Sequence, residues 1–157
     1  VAYLAGLTPR YFLIDNLSLG LSLNAFYELN ETTTKVVGAE TTNTRSDTGF
    51  LGLVVANYNV RIGHSLFLRP GVGAGYFYGT RERPTATVGV KSESTISGPA
   101  GLLDLTLQYF AGPHFSLRAG PVLVMRFGTD SPKIDGGKDQ SYTQIDAGFT
   151  AGLAYSF

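Results

Sequence analysis

Strict alternation of apolar and polar residues over thirteen consecutive positions restricts this chain more than any other feature. In Leu17–Leu29 one face carries Leu17, Leu19, Leu21, Leu23, Ala25, Tyr27 and Leu29, and the other Ser18, Gly20, Ser22, Asn24, Phe26 and Glu28. A period of two belongs to an extended strand, and this run is longer than the five or six residues usual in soluble sheets. The segments 66–78, 115–127 and 144–157 repeat the pattern. Segment 98–110 sets Leu103, Leu105, Leu107 and Tyr109 against Asp104, Thr106 and Gln108. Segment 46–59 alternates without clear faces, and 2–13 makes a seventh strand. No helical period competes, and no run approaches the 18 apolar residues of a membrane-spanning helix.

The connections alternate in length. Short turns fall at Asp15-Asn16, around 60–65 and at 111–114, whereas polar stretches at 30–45, 80–94 and 129–140 read as long loops. Short turns at one end and long loops at the other are the asymmetry of transmembrane β-barrels. The 157 residues make a single domain, with 20 glycines, 19 aromatics and only 15% charged residues. Twelve basic residues balance twelve acidic ones, which leaves no basic face for nucleic acid. The absence of cysteine excludes disulfides and thiolate metal sites. The first residues lack the basic start and apolar core of a signal peptide, so an exported form is a processed or trimmed one.

Alternation does not say which face points out; a lipocalin-type barrel turns the apolar face inward around a ligand. Here the polar face carries Arg10, Glu28, Arg69, Asp104, Arg118, Arg126 and Asp146 among many glycines, a charge-balanced set suited to a small barrel's interior network. The aromatics gather at the strand ends, as interfacial girdles do, and only Phe149 falls mid-strand. The nine residues from Phe67 to Tyr76 span ~23 Å at ~3.3 Å per residue and a ~40° tilt. That is the height of an outer-membrane apolar band.

Two segments carry a family resemblance. Thr150, Gly152, Tyr155 and Phe157 resemble the C-terminal assembly signal of bacterial outer-membrane proteins: a polar residue, a glycine two on, and aromatic or apolar residues third from last and last. The run from Pro9 to Leu21, with its Tyr11-Phe12, Asp15-Asn16-Leu17 and Leu19-Gly20, is similar to a hairpin of small outer-membrane β-barrel domain proteins, the OmpA/OmpX-like class. The resemblance implies insertion by the outer-membrane assembly machinery. In that family the hairpin joins strands two and three. Seven strands therefore read as a barrel of eight lacking its first strand, unless a partner supplies the edge or 32–37 hides another pairing. Bare edges in lipid are prohibitively costly.

Motifs for chemistry are weak. His114-Phe115-Ser116 is similar in spacing to outer-membrane lipid hydrolases, but it sits at a short turn with no acidic residue placed to orient His114. His64 and His114 alone make no metal site. Asp104 and Asp146 read as members of an ion-pair network rather than as a catalytic pair. Gly71-Val72-Gly73-Ala74-Gly75 precedes no helix, so it is not a phosphate loop. Arg81-Glu82-Arg83, at a loop edge, reads as solvated, with lipopolysaccharide phosphate as the sharper alternative.

The expectation is an all-β, antiparallel, up-and-down transmembrane β-barrel in the bacterial outer membrane. It has eight strands when complete, with a polar interior filled by side chains, no cofactor, no metal and no enzymatic activity. Its role is structural or interactive. Its partners are lipid, lipopolysaccharide, the assembly machinery and another envelope protein, not nucleic acid. A narrow solute channel and a soluble lipocalin-like binder are the alternatives.

Overall fold

The computed structural model describes the backbone of residues 2–36, 39–84, 91–133 and 138–155, and the side chains of 5–31, 44–84, 92–133 and 138–155. Nine antiparallel strands form one sheet, and the described residues contain no helix. They are β1 (Ala2–Leu7), β2 (Arg10–Ile14), β3 (Leu17–Val36), β4 (Ala39–Tyr58), β5 (Val60–Arg61), β6 (Leu66–Pro84), β7 (Lys91–Phe110), β8 (Phe115–Pro132) and β9 (Gln140–Tyr155). The sheet order is β1-β3-β4-β6-β7-β8-β9, with β2 beside β3 and β5 beside β6.

The nine strands occupy seven positions. The segment expected as one strand over 2–13 is split at Thr8-Pro9, yet β1 and β2 keep one register on β3, with Leu7 opposite Leu23 and Arg10 opposite Gly20. Proline has no N–H for the ladder, but the Pro9 carbonyl still accepts from Leu21 N at 3.1 Å. Likewise β5 continues β4 along β6 in unbroken register past Asn59.

The stretches read as long loops are largely paired. β3 and β4 continue as a ladder from Asn30 opposite Arg45 to Val36 opposite Ala39, and β6 and β7 pair out to Pro84 opposite Lys91. β8 and β9 pair to Asp130 opposite Gln140. Threonine-rich segments suit extended backbone. Being polar at both alternating positions, they carry no period-two contrast, and the strand is invisible to a pattern search.

Along β3 and β6–β9 the observed faces follow the sequence. Leu19, Leu21, Leu23 and Tyr27 point out, as do Leu103, Leu105, Leu107, Tyr109, Phe149, Leu153 and Tyr155, while Ser18, Ser22, Glu28, Arg69, Thr106, Gln108, Ser116 and Arg126 are buried inside. On β4 the structure supplies what alternation left open. Phe50, Val54 and Tyr58 face out, and Asp47, Leu51, Leu53, Val55 and Asn57 face in. Both faces of β4 are apolar in the middle, which is why no contrast appears there.

The interior is therefore not polar throughout, contrary to expectation. Phe26, Leu51, Leu53, Val55, Phe77, Ile96, Ala100, Leu102 and Val124 form one buried apolar layer. Its large rings fit because glycines face them. A Cβ at Gly79 would lie 3.1 Å from both the Gly49 Cα and the Phe26 Cζ, and one at Gly49 would lie 2.8 Å from Phe26 Cζ. Gly79→Val is expected to lower stability by about 1–3 kcal/mol through overpacking, and Phe26→Ala by about 3–5 kcal/mol through the cavity it leaves. Denaturant midpoints of the two variants check both; unchanged midpoints would remove the ring-on-glycine packing from the account.

Candidate functional site

The candidate site is the interior, because strands far apart in sheet order meet there. Phe77 on β6 packs edge-on against Tyr142 on β9, with ring centroids 5.7 Å apart. Gln144 on β9 donates to Glu28 on β3 at 2.7 Å. Such contacts require the sheet to curl until its two ends approach each other. Among the described residues the ends do not pair: β9 has no ladder with β1 or β2.

Three charged clusters are stacked inside. In the one between the apolar layer and the loop end, Arg126 Nη2 donates to Glu28 and, at 2.7 Å, to Asp146 Oδ2. Gln144 Nε2 donates to the remaining oxygens, Glu28 Oε2 at 2.7 Å and Asp146 Oδ1 at 3.0 Å. All four carboxylate oxygens therefore hold a donor. The Arg126 guanidinium lies over the Phe26 ring with its carbon 4.8 Å from the centroid, a cation–π contact that covers its flat face.

Toward the turn end, buried Arg69 donates from Nη2 to Asn57 Oδ1 (2.9 Å) and from Nη1 to Gln108 Oε1 (3.2 Å). Asn57 Nδ2 passes the network on to Asp104 Oδ1 at 3.2 Å, and Gln108 Nε2 donates to Ser116 Oγ at 2.8 Å. Arg118 lies along β9, where a Cβ at Gly152 would come within 3.2 Å of its Nε. Arg10, half-buried on β2, leaves its Nε without a partner. Arg69 and Thr106 are also tied through the Arg69 carbonyl, which accepts from Thr106 Oγ1 at 3.4 Å.

Nearest the loops is a cluster that sequence reasoning missed. Arg81, 2% exposed, donates to Asp47 through Nε (2.9 Å) and Nη2 (2.8 Å) and to Asp130 through Nη1 (2.6 Å). Arg45 adds a bond to Asp47 at 2.5 Å and Arg83 one to Asp130 at 2.7 Å. Arg81 is thus a buried hub rather than the solvated loop residue expected. Its position twelve residues after Arg69, on the same strand face, was the available signal. It was hidden because Asp130 and Arg81 fell in segments read as loops, and Asp47 in the strand of unresolved faces.

Of the seven interior residues expected, Glu28, Arg126 and Asp146 thus share one cluster, Arg69, Asp104 and Arg118 sit in another, and Arg10 lies beside Gly20 of β3. Asp104 and Asp146 lie in different clusters and do not face each other as a pair. Thr150 and Gly152 lie on the inner face of β9 and Tyr155 is exposed outside; Phe157 lies outside the described residues. The His114 ring packs 5.8 Å from that of Tyr155, at the turn end. The described residues hold no group of three His, Asp or Glu side chains suited to a metal. No protein-family model matches the chain, and no curated protein matches it.

The loop-end cluster responds to acid. Burial pushes the Asp47 and Asp130 carboxyls up. Hydrogen bonds and charge from Arg45 and Arg81 on Asp47, and from Ser94, Arg81 and Arg83 on Asp130, outweigh burial and hold both below the ordinary carboxylate value. A carboxylate with a depressed folded value binds fewer protons folded than unfolded. Its contribution is complete above the unfolded value of ~3.9 and is lost as pH falls through the folded one. The urea midpoint is therefore expected to fall below about pH 4. Asp47→Asn leaves Asp130 as the one carboxylate partner of Arg81 among the described residues, which lowers stability at neutral pH by about 1.5–3 kcal/mol and flattens the acid-side slope. A variant with the same slope as the parent would show that other groups govern the acid response.

Proposed function

We propose that this chain is the wall of a small bacterial outer-membrane β-barrel of eight strands when closed, non-enzymatic, plugged by its own side chains and structural or interactive in role. One observation carries the reading: large apolar side chains are exposed around the outside, while arginines and carboxylates are buried within. A water-soluble sheet of this size would have the reverse distribution, since an exposed apolar surface this extensive marks contact with lipid or protein.

The outer face is also banded. Tyr27, Phe50, Tyr76, Tyr78 and Phe127 stand toward the loop end and Tyr11, Tyr58, Tyr109, Phe115 and Tyr155 toward the turn end, with leucines, valines and Phe149 between. From Phe50 to Tyr58 along β4 is eight residues, and from Phe115 to Phe127 along β8 is twelve. At ~3.3 Å per residue and a ~40° tilt these span about 20–30 Å, the height of an aromatic-girdled apolar band. Asp47, Arg81 and Asp130 each lie three residues beyond the girdle aromatic of their own strand, on the loop side of the band. The terminal Thr150, Gly152 and Tyr155 and the hairpin at Asp15-Asn16 support the outer-membrane reading by resemblance.

The apolar layer between the Arg69 and Arg126 clusters favours a plug over a channel, because a narrow apolar constriction excludes water and ions. The outward apolar face speaks against a lipocalin-like cavity. Detergent-extracted protein is expected to change electrophoretic mobility on boiling and to give no single-channel conductance in planar bilayers. A folded protein that stays soluble without detergent would overturn the membrane reading. A steady conductance would replace the plug by the narrow channel.

A further inference from the structure

The seam between β9 and β1/β2 has a chemistry of its own, and reading it rests on the barrel reading above. Six antiparallel steps separate β1 from β9 in the sheet, so the two edges run parallel to each other. One strand between them would be antiparallel to both. Beside β9 lies a cavity of about 480 Å³, lined by Phe26, Leu51, Val122 and Val124, by Glu28 and Arg126, and by residues 146–151 of β9. The inner face of β9 beside it is small: Gly148, Thr150, Gly152 and Ala154. Small residues on one strand leave room for large inward side chains on its neighbour.

Charge along the seam is segregated. Asp146, with its side chain 32% exposed, belongs to a cluster of two carboxylates and one arginine, so that level carries an excess negative charge. Toward the turn end, Arg69 and Arg118 share the single carboxylate of Asp104, so that level carries an excess positive charge. Arg118 makes no ion pair among the described residues. Its guanidinium crosses β9 where Gly152 has no side chain, with Nε 3.2 Å and Nη2 3.8 Å from where a Cβ would sit. It thereby places its charge over the inner face of β9, the edge strand.

We propose that the seam binds one polypeptide strand, from outside these 157 residues, whose inward face carries a carboxylate opposite Gly152, large apolar residues opposite Thr150 and Gly148, and a cation opposite Asp146. Because the strand runs opposite to β9, the acid comes first and the cation six residues later, with apolar residues at the outward positions between. A second copy of the chain does not supply it. The strands of matching direction present inward Ser18 to Glu28 on β3, Phe67 to Arg81 on β6 and Ser116 to Asp130 on β8, and none has an acid six residues before a cation on that face.

The chain has no tryptophan, so a peptide with one outward tryptophan reports its own insertion. The parent chain, folded in detergent micelles, is titrated with three alternating peptides of about ten residues, enough to cross an apolar band. One has the acid and cation as stated, one has them exchanged, and one has glutamine at both places. The matched peptide is expected to bind about tenfold tighter than the exchanged one, with a blue shift of its tryptophan and a boiling-sensitive complex on the gel. Arg118→Glu is expected to remove that preference. Equal or tighter binding of the exchanged peptide overturns the proposal, as does no binding of any peptide to a chain that is folded and held in the detergent. A chain that folds without detergent fails the membrane reading instead, and the peptide ranking is read separately.

Discussion

Arg126 ties the two ends of the sheet together. From β8 it reaches Glu28 on β3 and Asp146 on β9, and Gln144 closes the ring by donating to the same two carboxylates. Away from water such a cluster is stable only when every charge has partners, since removing one leaves another uncompensated. Curling the sheet brings these partners within reach. A flat sheet would leave Glu28 far from Asp146 on the same face, with four strands of the sheet path between them. The interior pairing and the outward apolar face are thus two aspects of the same curvature.

The interior is layered along the strands, and the layering has a packing cause. Glycines at 49 and 79 leave room for the tip of the Phe26 ring against the wall, and that ring supports the Arg126 guanidinium. Farther toward the loops, the Tyr142 ring plays the same part beneath Arg81, whose guanidinium carbon lies 4.8 Å from its centroid. Aromatic faces thus make the floor for two of the three charged clusters, while the aliphatic side chains of β4 and β7 contribute to the apolar layer. A charge that moved along this interior would have to cross the apolar layer, which is the physical basis for reading the wall as plugged.

The interior clusters were only partly legible in advance. Glu28, Arg69, Arg126 and Asp146 stand in strands of clean alternation, so their inward direction followed from parity. Asp47 could not be assigned because β4 is apolar on both faces at its centre. Arg81 and Asp130 were mistaken for loop residues because the ladder continues through polar sequence, where alternation has no contrast to show. Asn57, Gln108 and Gln144, which join the charges into networks, are uncharged, and parity, which puts Gln108 on the polar face, does not mark a bridge. A neutral amide becomes a bridge only when a particular pair of neighbours is in place.

By itself, the sequence determined the all-β class, the antiparallel succession of strands, the turn positions and the face of each strand wherever apolar and polar residues alternate. These are local consequences of a side-chain period of two. The tertiary structure alone decided which residues meet across the interior, that an apolar layer accompanies the charged clusters, and that β9 reaches β3 through side chains without pairing with β1 or β2. Those depend on curvature and register summed over the whole sheet. A one-residue slip in any ladder would carry a whole strand's side chains to the other face, and no segment read alone contains that sum.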